Sequence, residues 1–166
     1  MRFEVRRVVF VLTRAATYSA LFLGVLLVFL PGRILSAAGI GRPSPIGVLE
    51  LAGVTLAALG AALALACILT FVFVGRGTPA PFDPPRRLVV QGPYRLVRNP
   101  MYLGASVALA GAALFYQSLA LLGYAASFLL VTHSFIVFYE EPTLRRTFES
   151  DYEAYCLRVG RWWPRV

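Results

Sequence analysis

A chain of 166 residues that is 58% hydrophobic and only 14% charged departs far from a soluble domain, where about 45–50% and 25% are usual, so water is not its main solvent. Its formal charge of +8, with arginine as the only basic residue type, admits either nucleic-acid binding or a membrane protein with basic loops. The arginines flank apolar runs instead of sharing one soluble face, which argues against nucleic acid, and about 20 apolar residues per bilayer crossing leave room for a compact helical bundle.

The first apolar run extends from Val8 to Leu30, interrupted by Arg14 and closed by Pro31-Gly32. Arg14 can snorkel to the nearer interface, and the run is long with no small-x-small site directly after it, so an uncleaved membrane helix is expected in place of a signal peptide. Residues 31–45, rich in Gly, Pro and Ser, read as a loop. Leu51 to Val74 is a second uncharged run with Glu50 at its outer end. Between 75 and 100, Pro79, Pro81, Pro84 and Pro85 forbid regular helix, and Arg76, Arg86, Arg87, Arg95 and Arg98 add charge. Such a segment cannot cross lipid, because its backbone groups would go unsatisfied.

Met101 to Tyr139 has no formal charge and about twice the length of one crossing. Its most polar point, Tyr116-Gln117-Ser118, divides it into a helical hairpin. From Pro142, a residue suited to a first helical turn, Leu144, Phe148, Tyr152, Tyr155 and Val159 recur at spacings of three and four. They predict an amphipathic helix lying along the membrane surface. The fold expected is an all-α membrane protein with about four transmembrane helices plus this C-terminal interfacial helix, in one membrane domain. Residues 1–87 hold the first two membrane helices and their loops, and 88–164 the remainder.

With four crossings, three arginine-rich segments fall on one side: Arg2, Arg6 and Arg7 at the start, the 75–100 loop, and the tail with Arg145, Arg146, Arg158, Arg161 and Arg165. The loop at 31–45 has only Arg33 and Arg42, and the hairpin tip has none. The positive-inside rule then puts both termini in the cytoplasm of a multi-pass protein, with a bacterial inner membrane as the expected location. Cys67 and Cys156 suit neither a zinc site nor a disulfide framework and read as two reduced thiols.

Three clusters could hold chemistry. Asn99-Pro100 is an N-cap and first-turn pair, which fixes Arg98 just before a helix N-terminus that itself attracts anions, so a carboxylate, a phosphate or lipid headgroups could bind there. Glu140-Glu141 stand where the fourth helix leaves the membrane, opposed by the helix dipole, so a cation must be near: Arg98, Arg145, Arg158 or a ligand's ammonium. On the tail, Arg158 follows Tyr155 and could face Arg98, whereas Trp162 and Trp163 read as interfacial anchors. Two arginines and two glutamates in one pocket suit a zwitterionic amino acid group. His133, within the fourth helix and seven positions before Glu140, is a candidate proton acceptor or a hydrogen-bonded packing residue.

The order Gly92-x-Tyr94-x-x-x-Arg98-x-Pro100-x-Tyr102-x-Gly104, a membrane hairpin, then Glu140-Glu141-x-x-Leu144 with Phe148, Tyr152, Tyr155 and Arg158-Val159, resembles the isoprenylcysteine carboxyl methyltransferase family. That family is related to the phospholipid N-methyltransferases, and the likeness covers about residues 88–164. The resemblance implies an S-adenosylmethionine-dependent enzyme that releases S-adenosylhomocysteine. Tyr94, Arg98, Asn99, Pro100, Tyr102 and Gly104 would form one wall of the cofactor pocket, and Glu140, Glu141, Tyr152, Tyr155 and Arg158 the other. A carboxylate or thiolate acceptor would be steered by Arg98 or Arg158, and an amine would lose its proton to Glu141 or His133. The acceptor implied is lipophilic or small and membrane-permeable, reached sideways from the bilayer, and so few crossings suit a homodimer. Asn99, Glu149 and Gly160 depart from the His, Gly and Pro that the family often carries at these places. The competing readings are a non-enzymatic membrane scaffold or assembly protein and, with a poorer fit, a transporter.

Overall fold

The computed structural model describes residues 23–75 and 87–165, with positions 13, 17 and 21 besides. The N-terminal arginines, Arg14, Arg76, Arg86, the prolines at 79–85 and the first part of the opening apolar run lie outside the described residues. Among the described residues the chain is helical, with no strand and one isolated bridge between Val97 and Gly160. The helices are α1 Gly24–Ala37, α2 Val48–Thr70, α3 Pro100–Phe115, α4 Leu119–Phe135 and α5 Glu141–Arg158. Two stretches are long and apolar enough to cross a membrane, α2 with 23 residues and the continuous run Leu119–Arg158 with 40, while α1 and α3 are apolar but shorter.

Pro31-Gly32 does not end the first helix, contrary to the sequence expectation. A π-helical stretch at Gly24–Phe29 widens the coil just before the proline, and the helix continues to Ala37. The Leu30 N–H returns to the Val25 carbonyl, and the next carbonyl, Leu26, has only Pro31 at the corresponding place, which carries no N–H. The Tyr124 hydroxyl of α4 donates to it instead at 2.9 Å. One tyrosine thus satisfies the orphaned carbonyl and ties α1 to α4. The helix ends in a Schellman turn, with Ile40 N–H on Leu35 O at 2.9 Å, Gly39 N–H on Ser36 O at 3.1 Å and Gly39 at φ 66°.

The same device recurs at Pro142. The sequence places the end of the fourth helix at Tyr139, yet a π-turn at Ile136–Glu140 carries it into α5 without a break, with the Glu141 N–H on Ile136 O. Widening the coil relieves the clash between the proline ring and the preceding turn. The bend falls later, at Glu149, whose φ of 41° and ψ of −118° divide α5. A side chain is strained there by about 1–3 kcal/mol, and glycine is not. Glu149→Gly is therefore expected to stabilise the fold by about 1 kcal/mol, read as a rise in thermal midpoint in detergent.

Helices α2 and α3 pack antiparallel with almost no side chain between them. A Cβ added at Gly53 would lie 2.8 Å from Gly111 O, and one at Gly104 would lie 2.8 Å from Gly60 O. Glycine at these four positions lets the backbones touch, which is how helices gain contact where lipid supplies no hydrophobic drive. Leu26 and Leu27 of α1 pack against Ala105 and Leu109 of α3 and Ala125 and Phe128 of α4, and Leu35 packs with Ala113 and Leu121.

The hairpin turn falls at Tyr116-Gln117-Ser118, where the sequence places it. It is a second Schellman turn, with Ser118 N–H on Ala113 O at 3.0 Å and Gln117 N–H on Leu114 O at 3.2 Å. Here Gln117 takes the left-handed place at φ 48°. Its amide donates to Glu50, which also caps α2 through Gly47 N–H at 2.8 Å. Ser118 then caps α4 by accepting from Leu121 N–H at 3.2 Å. The far end of α5 carries its predicted apolar stripe as one cluster, with Tyr152, Tyr155 and Val159 buried and Leu144, Phe148 and Leu88 against them.

Candidate functional site

Opposite the hairpin turn, the loop before α3 meets the tail after α5. The chain leaves helical geometry at Val159, and Gly160 comes alongside Val97, its carbonyl accepting from Arg98 N–H at 2.8 Å. A Cβ at Gly160 would lie 3.3 Å from the Trp163 carbonyl carbon, so glycine suits this reversal. Asn99 occupies the N-cap position of α3, but its side chain does not cap. Its amide donates across to Arg161 O at 3.3 Å, a second tie between loop and tail.

Glu141 lies at the centre, 7% exposed. Arg161 holds both its oxygens, Nε on Oε1 at 2.8 Å and Nη2 on Oε2 at 2.9 Å, and Arg98 Nη1 stands 3.2 Å from Oε1. Arg98 Nη1 also reaches the Tyr152 hydroxyl at 3.4 Å and touches Cys156 Sγ. Its Nε is buried with no partner among the described residues. Burial works against ionisation of Glu141, but the Arg161 hydrogen bonds and the charges of Arg98 and Arg161 outweigh it and hold the carboxyl below its ordinary range. Beyond the apolar run that ends at Tyr139, Glu140 behaves in the opposite way. Burial pushes it up to about 7, with its Tyr102 hydrogen bond working downward and the neighbouring Glu141 upward. The Tyr102 hydroxyl donates to Glu140 Oε2 at 3.1 Å. Two adjacent acids thus occupy different electrostatic settings, one neutralised by guanidinium groups and one without a cation among the described residues.

Of the residues singled out in the sequence, Arg98, Asn99, Glu141 and Tyr152 meet here, with Glu140 and Tyr102 paired alongside and Pro100 opening α3 beside them. Arg158 does not join them. It is exposed and donates to Ala154 O of its own helix at 3.3 Å. Arg161 grips Glu141 instead, because the chain turns back at Val159 and the helical phase that favoured Arg158 no longer applies. Gly104 faces α2 as a packing residue. Tyr94 is buried against Cys67 and Val89 with its ring edge-on to Phe71, and its carbonyl accepts from the Tyr155 hydroxyl at 2.6 Å. That bond fastens α5 to the loop, so Tyr94 and Tyr155 shape the site from beneath. His133 accepts at Nδ1 from the Trp162 indole N–H at 3.0 Å and stacks on it, meeting the cluster through the neighbour of Arg161. Trp163, in contrast, is exposed as an anchor would be.

A family model described as phospholipid methyltransferase matches residues 48–151, more than half of the chain. No curated protein and no solved structure matches it. The matched stretch takes in the glycine-packed pair α2 and α3, the loop arginine Arg98 and both acids, and stops one residue before Tyr152. An apolar helical chain that brings that arginine onto Glu141, with the family match running through both, belongs to the phospholipid methyltransferase family of membrane methyltransferases.

Proposed function

We propose that this protein is an integral membrane methyltransferase that uses S-adenosylmethionine and acts on a lipophilic or small membrane-permeable acceptor, in the manner of the isoprenylcysteine carboxyl methyltransferases. The observation that carries the reading is the partly buried cluster of Arg98, Arg161, Glu141 and Glu140, with two positive and two potentially negative groups at one end of the bundle. Its composition fits the amino acid end of the cofactor: Arg98, whose Nε is buried and unpartnered among the described residues, for the carboxylate, and Glu140, which faces no cation among them, for the ammonium. The cofactor supplies a methyl group already activated on a cationic sulfur, so the chain's own task is to hold, orient and dry the reacting groups.

In this reading Glu141 and Arg161 position Arg98, and Tyr102 orients Glu140. Four crossings, with the cluster and both termini on the cytoplasmic side, agree with the antiparallel path of α1 to α4 and with the arginine-rich segments.

Binding of S-adenosylhomocysteine to detergent-purified protein, measured by calorimetry, tests the reading. Arg161→Ala is expected to weaken binding by about tenfold or more, the value of a charge-assisted hydrogen-bond pair, and Arg158→Ala to leave it unchanged. Absence of binding to the wild-type protein would favour a non-enzymatic scaffold.

A further inference from the structure

The tail after α5 is tied to the loop before α3, to the end of α5 and to α4. The Gly160 and Arg161 carbonyls accept from the loop, and Arg165 folds back onto Cys156 O and Leu157 O at 3.0 and 2.9 Å. Among the described residues, Trp162 alone hydrogen-bonds the tail to α4, its indole N–H on His133 Nδ1 at 3.0 Å. Arg161 and Trp162 are neighbours, with Cα atoms about 3.8 Å apart. They nevertheless end on Glu141 and His133, which stand eight positions apart on one continuous helical run, about 12 Å along its axis. The two side chains must therefore diverge, and the tail is pinned along that run at two separated points.

These ties do not act alike on Arg161. A long side chain loses much rotamer freedom when its guanidinium is held by both oxygens of one carboxylate, so the grip on Glu141 needs a backbone already fixed at the right distance. The loop bonds fix where two tail carbonyls lie. The indole is rigid, with two torsions and its bond at the tip, and it fixes how far along the helix Arg161 stands. Water cannot replace that bond, because His133 is half-buried in the apolar run, where the neighbouring Leu130 and Val131 are exposed as lipid-facing residues are. Since Nδ1 accepts, the neutral ring carries its proton on Nε2 and has no lone pair to spare.

We propose that His133 is a positioning residue: through Trp162 it sets Arg161 on Glu141, and through Glu141 it orients Arg98. Its ring serves as a fixed hydrogen-bond acceptor. The consequence for the cofactor rests on the methyltransferase reading, whereas the hold on Arg161 stands on the geometry alone.

The test uses the full chain in detergent with three substitutions. Trp162→Phe keeps a stacked ring and loses the donor, His133→Leu loses the acceptor, and His133→Asn restores an acceptor oxygen at about the place of Nδ1. Calorimetry reads S-adenosylhomocysteine affinity. The hold on Arg161 is read as its rate of modification by phenylglyoxal, counted by mass spectrometry against the exposed Arg158 as internal standard. Trp162→Phe and His133→Leu are each expected to weaken affinity and to speed Arg161 modification by about fivefold, the worth of one net hydrogen bond. The double variant should go no further than either single one, and His133→Asn should restore both readings. If His133→Leu does not fold, Trp162→Phe decides on the same terms. Unchanged Arg161 reactivity in a folded single variant, additive effects in the double variant, affinity that holds while reactivity rises, or a His133→Asn protein without rescue overturns the proposal. Wild-type protein that binds no S-adenosylhomocysteine, yet gives this pattern of Arg161 reactivity, keeps the hold and refutes the enzyme reading.

Discussion

Glu141→Ala is expected to abolish S-adenosylhomocysteine binding and to cost the fold about 3 kcal/mol, because it leaves two guanidinium groups without their shared anion. The Arg98 side chain is 12% exposed and cannot turn to water, whereas Arg161 at 32% can, which places the cost toward the lower part of the range for broken buried pairs. Glu141→Gln should fall between, since an amide oxygen still accepts from Arg161 but carries no charge. Calorimetric binding together with thermal unfolding in detergent decides the matter. A Glu141→Ala protein with wild-type midpoint and affinity would mean that the arginines are held by other partners.

Gly60→Val should damage the fold at least as much, by about 3 kcal/mol or more. Its Cβ would come 2.9 Å from Ala108 Cα and still closer to the Ala108 N–H and the Gly104 carbonyl, all of them backbone that cannot move without separating α2 from α3. Both helices carry this contact over two further glycines, Gly53 and Gly111, so local yielding at one level strains the next. Gly123→Ala on α4, where a Cβ meets nothing within 4 Å, is the matched control and should be neutral or slightly stabilising. The fraction of protein that stays monodisperse after heating measures both.

The hairpin turn is legible in the sequence because polar residues interrupt an apolar run there, and the α5 stripe because its period is helical. Arg98 is legible because Asn99-Pro100 announces a helix start. The identity of its companion is not. Counting along α5 favours Arg158, but the residue that arrives is Arg161, three positions past the point where the helix ends, and no periodicity extends across that reversal. Pro31 misleads for a related reason. Helix-breaking rules apply to regular coil, and a π-turn in front of Pro31 removes the clash on which they rest, whereas Pro142 stands in the first turn of α5, as the sequence suggests, and only the absence of a break before it goes unread. The glycine contact between α2 and α3 carries a readable signal, the seven-residue spacing of Gly53 to Gly60 and of Gly104 to Gly111, but a scan for charge and hydropathy passes over glycine. Glu149 is the converse case. The family resemblance leads one to expect glycine there, and the glutamate takes a left-handed backbone that glycine would adopt without strain.

The unbroken path from Leu119 through the π-turn into α5 makes the acid pair a matter of rotational phase. One residue added to or removed from α4 would swing Glu140 and Glu141 around the axis by about 100° and carry both away from the loop arginine. Any lineage that retuned this helix to a thicker bilayer would have to do so in steps of about seven residues, two full turns, to keep the carboxylates aimed at Arg98.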